Sequence, residues 1–144
     1  MVKEINFDMD GTIVDLYGVD GWLDDLRAER VYPYAAARPL VNLSALARLL
    51  NRLCAAGFSI NVISWTSRNG SDEYNAAVAA VKRAWLKNHL PSVNFSEILI
   101  VPYGTPKQTL GRGILFDDEA QNREAWGEGA HKETEIFQIL KSLL

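Results

Sequence analysis

The sequence predicts an α/β fold, a three-layer α/β/α sandwich in which a mainly parallel sheet lies between two layers of helices. Short, continuously apolar segments alternate along the chain with longer segments whose apolar residues recur at the helical period. Continuously apolar strands are typical of parallel sheets that are buried on both faces. The length of 144 residues is usual for one domain, so a single domain over residues 1–144 is expected.

The first half of the chain is predicted to contain two strands and two helices. The first strand covers residues 2–7, and the segment 15–42 after it is expected to be a flap with one short helix over 22–30. Asn42 is a favoured N-cap for a second helix, which ends where a glycine stops it. The second strand covers residues 58–63.

The second half repeats this alternation. A long helix begins at Ser71 or Asp72 and is stopped by Pro91. Two further apolar strands and an amphipathic helix follow, over residues 98–101, 113–116 and 133–144. The stretch 127–134 is polar and contains glycine, so the sequence does not decide whether a fifth strand forms there.

Composition and charge exclude several classes of protein. The chain is 48% apolar and 23% charged, which is typical of a folded globular protein. Its net charge of −3 gives no basis for a nucleic-acid-binding surface, so a nucleic-acid partner is not expected. One cysteine cannot form an internal disulfide, and no apolar run has the length of a membrane span. A cytoplasmic protein without a membrane partner is therefore expected, with the oligomeric state left open.

Acidic residues follow two of the predicted strands. Asp8 and Asp10 come after the first strand, with Gly11 behind them, and Asp117 and Asp118 end the fourth. Because the carboxyl ends of parallel strands lie at one edge of a sheet, we expect these acids to meet in one cleft. Clustered carboxylates repel one another, and a hard divalent cation such as Mg²⁺ relieves that repulsion.

Three more polar residues could bind a phosphate beside these acids. Ser64 or Thr66, near the end of the second strand, can donate a hydrogen bond to a phosphoryl oxygen, and Lys107 can supply a cation. Together the groups predict phosphoryl transfer. One aspartate attacks as the nucleophile, and the other protonates the leaving oxygen and then activates water. Spacing alone does not decide which aspartate has which role.

The motifs stand in an order that resembles the phosphatase-type members of the haloacid dehalogenase superfamily, over almost the whole chain. The resemblance rests on Asp8-Met9-Asp10-Gly11-Thr12, on Ser64 after an apolar strand, on Lys107, and on Asp117-Asp118 after another apolar strand. It implies a Rossmann-like sheet and a Mg²⁺-dependent phosphatase that forms an aspartyl-phosphate.

The resemblance also implies the roles of the acids. Asp8 is the nucleophile and a metal ligand. Asp10 is the general acid and base, and it binds the metal through its backbone carbonyl. Asp117 completes the metal site, and Asp118 is either a further ligand or a hydrogen-bonding support for the ligands.

By the same resemblance, Ser64 and Lys107 hold the phosphoryl group. Ser64 ranks ahead of Thr66 because it directly follows the apolar run, whereas a shifted strand end would favour Thr66. Members of the family often insert a large cap domain that selects the leaving group, but residues 15–42 offer only a flap. An open cleft and a small phosphorylated substrate, such as a nucleotide, are therefore expected.

Four other residues near the strand ends or in the flap could contact a substrate. Trp65 could stack on a base or sugar, Tyr17 and Trp22 could contact a leaving group, and Arg68 could bind a second phosphate. For each of them the preferred interpretation is simple packing or solvent exposure.

Other functions are compatible with these residues. A receiver-like signalling module also uses acids, a hydroxyl and a lysine at strand ends, but its adjacent acid pair follows the first strand. An open cleft would also admit nucleic-acid ends or phosphoproteins, although the acidic charge argues against nucleic acid. A silent binding domain would have no reason to keep clustered carboxylates, which are costly to bury. The hydrolase is the preferred interpretation.

Overall fold

The structure, a computed structural model, describes residues 2–144. The elements of the first half are β1 (Glu4–Phe7), β2 (Val14–Asp15), α1 (Trp22–Arg27), α2 (Tyr32–Ala36), β3 (Arg38–Pro39), α3 (Leu43–Ala55) and β4 (Ser59–Trp65). Those of the second half are α4 (Asp72–His89), β5 (Glu97–Val101), β6 (Ile114–Phe116), α5 (Ala120–Trp126), β7 (Ala130–His131) and α6 (Ile136–Ser142). Short 3₁₀ helices precede β6 and α6, at Lys107–Thr109 and Glu133–Glu135.

Five strands form one sheet in the order β5-β4-β1-β6-β7, and every pairing within it is parallel. The central strand β1 pairs with β4 on one side and with β6 on the other. Helix α3 packs against α6, and α4 packs against α2. The predicted α/β fold with a mainly parallel sheet is confirmed.

The central strands are apolar because they are buried. Ile5 and Phe7 of β1, Ile60 and Val62 of β4, and Phe116 of β6 are each at most 1% exposed. The rings of Phe7 and Phe116 stack with their centroids 5.3 Å apart across neighbouring strands. Burying an aromatic or aliphatic side chain of this size contributes roughly 1.5–3 kcal/mol. The buried sheet therefore holds the polar residues after its strand ends in fixed positions.

The predicted end of the second strand is wrong. The apolar run stops at Ile63, but β4 continues through Ser64 to Trp65, which pairs with Val101 of β5. Thr66 is the first residue after the strand, and its backbone N–H still donates to the carbonyl of Val101 at 2.8 Å. Pairing with β5 outweighs the polar character of these positions, so Ser64 lies within the strand.

The flap contains two short helices where one was predicted. Helix α1 ends at Arg27, and Glu29 then adopts a left-handed conformation with φ 56°. Helix α2 begins at Tyr32, with Pro33 in its first turn, where a proline costs no helical hydrogen bond. The segment then returns as β3, which pairs antiparallel with β2.

The region after Asp118 contains the short helix α5, which the sequence analysis did not identify. It is followed by β7, which settles the open question of a fifth strand and pairs in parallel with β6. Gly127, with φ 103°, ends α5 and turns the chain toward β7. In residues 2–144 no helix combines the length and the apolar character needed to cross a membrane.

Candidate active site

The neighbouring strands β1 and β6 bring three carboxylates together at their C-terminal ends. The backbone N–H of Asp8 donates to the carbonyl of Phe116 at 2.9 Å, which places the two strand ends side by side. Asp8, Asp117 and Asp118 each offer one carboxylate oxygen, and these atoms lie within 4.8 Å of one another. A set of oxygen ligands at this spacing fits a divalent cation.

The turn after β1 is shaped around this cluster. Gly11 has φ 81°, and a Cβ atom at this position would lie 2.3 Å from Oδ2 of Asp118. The Thr12 hydroxyl donates to Oδ2 of Asp8 at 3.0 Å and accepts from the backbone N–H of Asp118 at 3.2 Å. Gly11 therefore admits Asp118, and Thr12 ties the two acidic segments together.

Lys107 is buried between two of the carboxylates. Its Nζ donates to Oδ1 of Asp8 at 2.9 Å and to Oδ2 of Asp117 at 2.8 Å. Burial opposes the charged form of Asp8, but the ammonium of Lys107, a hydrogen bond from Asp118 and the charge of Lys82 together outweigh it and lower the pKa of Asp8 below its ordinary value. Asp8 is therefore ionised at neutral pH, as a nucleophile must be.

Asp117 is fixed from several sides and is fully buried. Its Oδ1 accepts from the backbone N–H of Glu119 at 3.0 Å, and its Oδ2 accepts from Nδ2 of Asn122 at 3.1 Å. Asn122 belongs to α5, so the sequence analysis missed it together with that helix.

The neighbouring Asp118 is less acidic than an ordinary aspartate. Burial, together with a hydrogen bond to Asp8 and the charge of Asp8, raises the pKa of Asp118 to about 8.

Asp10 is held by a lysine that the sequence analysis missed. Nζ of Lys82, on α4, donates to Oδ2 of Asp10 at 2.7 Å, to Oγ of Ser64 at 2.8 Å and to the carbonyl of Trp65 at 2.7 Å. Lys82 is only 2% exposed. The signal was present, because position 82 falls on the apolar stripe of α4 four residues after Val78, and a lysine there needs a buried partner.

The two candidate hydroxyls have different surroundings. Ser64 is 1% exposed, and its Oγ accepts from Lys82. Thr66 lines the cavity above the carboxylates, and its buried Oγ1 has no hydrogen-bond partner among residues 2–144. The sequence favours Ser64 because it directly follows the apolar run that ends at Ile63, but the strand continues to Trp65, so this reason does not hold.

A cavity of about 580 Å³ opens over the site, between the flap and the loops that follow β4 and β5. Its lining includes the reactive groups Asp8, Asp10 and Lys107. It also includes all four residues that were weighed as substrate contacts: Tyr17, Trp22, Trp65 and Arg68.

Two aromatic pairs form part of the cavity wall. Tyr17 and Trp22 of the flap meet edge to face with their centroids 5.0 Å apart. Trp65 and Tyr103 lie 4.9 Å apart, and Nζ of Lys107 lies 5.3 Å from the Trp65 ring. The second pair therefore adjoins the carboxylate cluster.

The comparisons with known proteins find a similar structure but no similar sequence. No protein-family model matches the chain, and no curated protein matches it at a significant level. The crystal structure of D,D-heptose 1,7-bisphosphate phosphatase from Burkholderia thailandensis is similar, with a TM-score of 0.60 and 14% sequence identity. The match covers 98% of this chain and 97% of that one.

This chain has the fold of that phosphatase. The α/β fold with a mainly parallel sheet, expected from the sequence, is confirmed by this match over nearly the whole of both chains. What a protein with this fold does depends on the groups at its site. Here an ionised carboxylate, a buried ammonium and a second carboxyl group face one cavity, and this arrangement can bind an anionic ester and attack it.

Proposed function

We propose that this protein is a Mg²⁺-dependent phosphomonoester hydrolase that works through an aspartyl-phosphate intermediate, with a small phosphorylated metabolite as its substrate. The observation that carries the proposal is the position of Asp8. Its carboxylate belongs to the group of three clustered acids, and one of its oxygens accepts from Lys107 at 2.9 Å. Asp8 thus lies where a cation, a phosphoryl group and a nucleophile would meet.

The reaction has two steps. An oxygen of Asp8 attacks the phosphorus, the ester oxygen leaves, and Asp10 supplies the proton that this leaving oxygen takes up. Asp10 then takes a proton from water as that water attacks the aspartyl-phosphate, which releases inorganic phosphate and restores Asp8. Lys107 supports both steps, because its ammonium offsets negative charge where the phosphoryl group is transferred.

The acidic group supports magnesium as the metal. Asp8, Asp117 and Asp118 offer only oxygen atoms, which are the ligands that this hard cation prefers, and the backbone carbonyl of Asp10 is a further donor by the family resemblance. Bound Mg²⁺ would offset the negative charge of the phosphoryl group.

Thr66 is our candidate for the hydroxyl that binds a phosphoryl oxygen. Its Oγ1 is buried at the cavity and has no partner within residues 2–144, so a ligand oxygen would satisfy it. Ser64 is already occupied by Lys82. Thr66 therefore replaces Ser64 as the first choice.

The aromatic pairs favour a nucleotide as the substrate. A cavity of about 580 Å³ has the size of a small-molecule site. Tyr17 and Tyr103 remain 47% and 48% exposed there, although exposed aromatic surface is unfavourable in water. A base stacked on such a ring gains about 1–3 kcal/mol. A nucleoside monophosphate offers both a phosphate for the acids and a flat ring for these walls.

Hydrolysis assays test the proposal. A panel of nucleoside monophosphates and sugar phosphates is offered to the protein with Mg²⁺ and with a chelator, and phosphate release is measured. We expect turnover that requires Mg²⁺, persists in Asp24→Asn and disappears in Asp8→Asn, since Asp24 is an exposed flap carboxylate. Absence of turnover on every ester contradicts the proposal. Stoichiometric phosphorylation that decays slowly would instead indicate a receiver-like module.

A further inference from the structure

Lys82 uses every donor it has. An ammonium carries three N–H groups, and three oxygens lie at 2.7, 2.8 and 2.7 Å from its Nζ. Two of these oxygens belong to Ser64 and Trp65, at the end of β4, and the third is Oδ2 of Asp10. Lys82 therefore connects helix α4, strand β4 and the turn after β1 at one point.

Packing alone does not account for a lysine at this position. The side chain is 2% exposed on the apolar stripe of α4, between Val78 and Trp85. Replacing both members of a buried charged pair by apolar residues is often neutral or stabilising, so an apolar pair would fill these two positions without a desolvation cost. What the ammonium adds is a fixed position for the carboxyl group of Asp10.

That position has a chemical consequence. Asp10 lines the cavity, and its side chain keeps 17% exposure. Because Oδ2 accepts a hydrogen bond from an ammonium, a transferable proton on this carboxyl group belongs on Oδ1. Fixing one oxygen also fixes the plane of the carboxyl group and hence the direction in which the other oxygen points.

We propose that Lys82 is a positioning residue that aims Oδ1 of Asp10 at the leaving oxygen of the ester. This inference rests on the proposed function and goes beyond it, because it assigns a role to a residue outside the four motifs. Without Lys82 the carboxyl group of Asp10 rotates away from the ester, and delivery of the proton to the leaving oxygen becomes inefficient. The attack by Asp8 is affected much less, since Lys107 and Thr12 hold that carboxylate directly.

Two esters of similar size separate these effects. The leaving group of benzyl phosphate is a strongly basic alkoxide, which needs a proton as it departs. The leaving group of 4-nitrophenyl phosphate is a weakly basic phenolate, which does not. For Lys82→Met we expect kcat/KM to fall about 10- to 100-fold on benzyl phosphate, part of the range typical of general acid catalysis, and less than about threefold on 4-nitrophenyl phosphate. Lys87→Met, at an exposed lysine on the same helix, is the control and should change neither value.

A double variant asks whether Lys82 acts through Asp10. In an Asp10→Asn background, adding Lys82→Met should lower kcat/KM on benzyl phosphate by less than about twofold, because the acid is already gone. Losses that multiply in the double variant, or a Lys82→Met loss that is equal on both esters, overturn the inference.

Thermal unfolding of each variant shows whether a loss of activity comes from a failure to fold. If Lys82→Met does not fold, Lys82→Gln is used, and the same unequal loss on the two esters is expected. Wild-type protein that hydrolyses neither of these two esters nor any ester of the nucleotide and sugar phosphate panel would contradict the proposed function itself, and the inference would fall with it. Wild-type turnover together with equal losses contradicts only the role of Lys82.

Discussion

Two buried lysines bind the two aspartates that follow β1, and they do so from different parts of the chain. Lys107 comes from the 3₁₀ turn after β5 and contacts Asp8 and Asp117. Lys82 comes from the middle of α4 and contacts Asp10 together with two uncharged oxygens. Lys107 thus balances clustered negative charge, while Lys82 fixes the geometry of one carboxyl group.

The difference explains why one lysine was predicted and the other was not. Lys107 lies in a polar loop after an apolar strand, and its place in the order of the motifs indicates a role in the site. Lys82 lies within an apolar helical stripe, and the apolar residues around it indicate only a buried helix face. A charged residue on a buried stripe marks a site as clearly as a motif does, provided that the stripe is checked residue by residue.

The largest effect should come from Lys107→Met. This change leaves Asp8 and Asp117 buried without their cation, so we expect kcat to fall about 10³-fold and the unfolding free energy to fall by about 3–5 kcal/mol.

Lys82→Met should destabilise the protein less. It removes the partner of only one carboxyl group, and that group is partly exposed, so the unfolding free energy of this variant should fall by about 1–3 kcal/mol. Chemical denaturation and steady-state kinetics measure both, and a larger loss of stability in Lys82→Met would reverse the comparison.

The two hydroxyls near the end of β4 sharpen the comparison. Thr66→Val removes a cavity hydroxyl without changing the shape of the side chain, and it should lower kcat/KM about 10²-fold with little loss of stability. Ser64→Ala should lower kcat/KM less than about tenfold, since Ser64 only assists Lys82. The same assay on both variants decides the order, and a larger loss in Ser64→Ala would return the phosphate-binding role to Ser64.

The smallest effect on kcat should come from Tyr103, which lines the cavity beside Trp65. Tyr103→Ala should raise KM for a nucleoside monophosphate about tenfold and leave kcat unchanged, because it removes stacking alone. Tyr32→Ala is the matched control, as Tyr32 is 62% exposed and lies outside the cavity lining. An unchanged KM in Tyr103→Ala would contradict a stacked base at this wall.

Most of the fold could be predicted because most of its strands are continuous apolar runs in the sequence. The apolar runs correspond to β1, β4, β5 and β6, of which β1, β4 and β6 are mostly buried and the edge strand β5 is half-buried. Asn42 caps α3 as its residue type indicates, because its Oδ1 accepts from the backbone N–H of Ala45 at 3.0 Å. The sequence gives no such signal for β7, which is two residues long and is defined only by its pairing with β6.

The site could be predicted as far as its residues stand directly after strands. Asp8, Asp117 and Asp118 meet as expected. Lys82 and Asn122 reach the site from the helices α4 and α5, so only the packing of those helices against the sheet brings them there. The extension of β4 to Trp65 likewise depends on pairing with β5.

Acid quenching of a reaction with Mg²⁺ and a phosphate ester, followed by mass spectrometry of peptides, tests the central claim most directly. The account predicts a phosphoryl group on Asp8 that appears during turnover, is absent with a chelator and is absent from Asp8→Asn. Turnover that continues in Asp8→Asn, or a phosphoryl group trapped on any other residue, would contradict it.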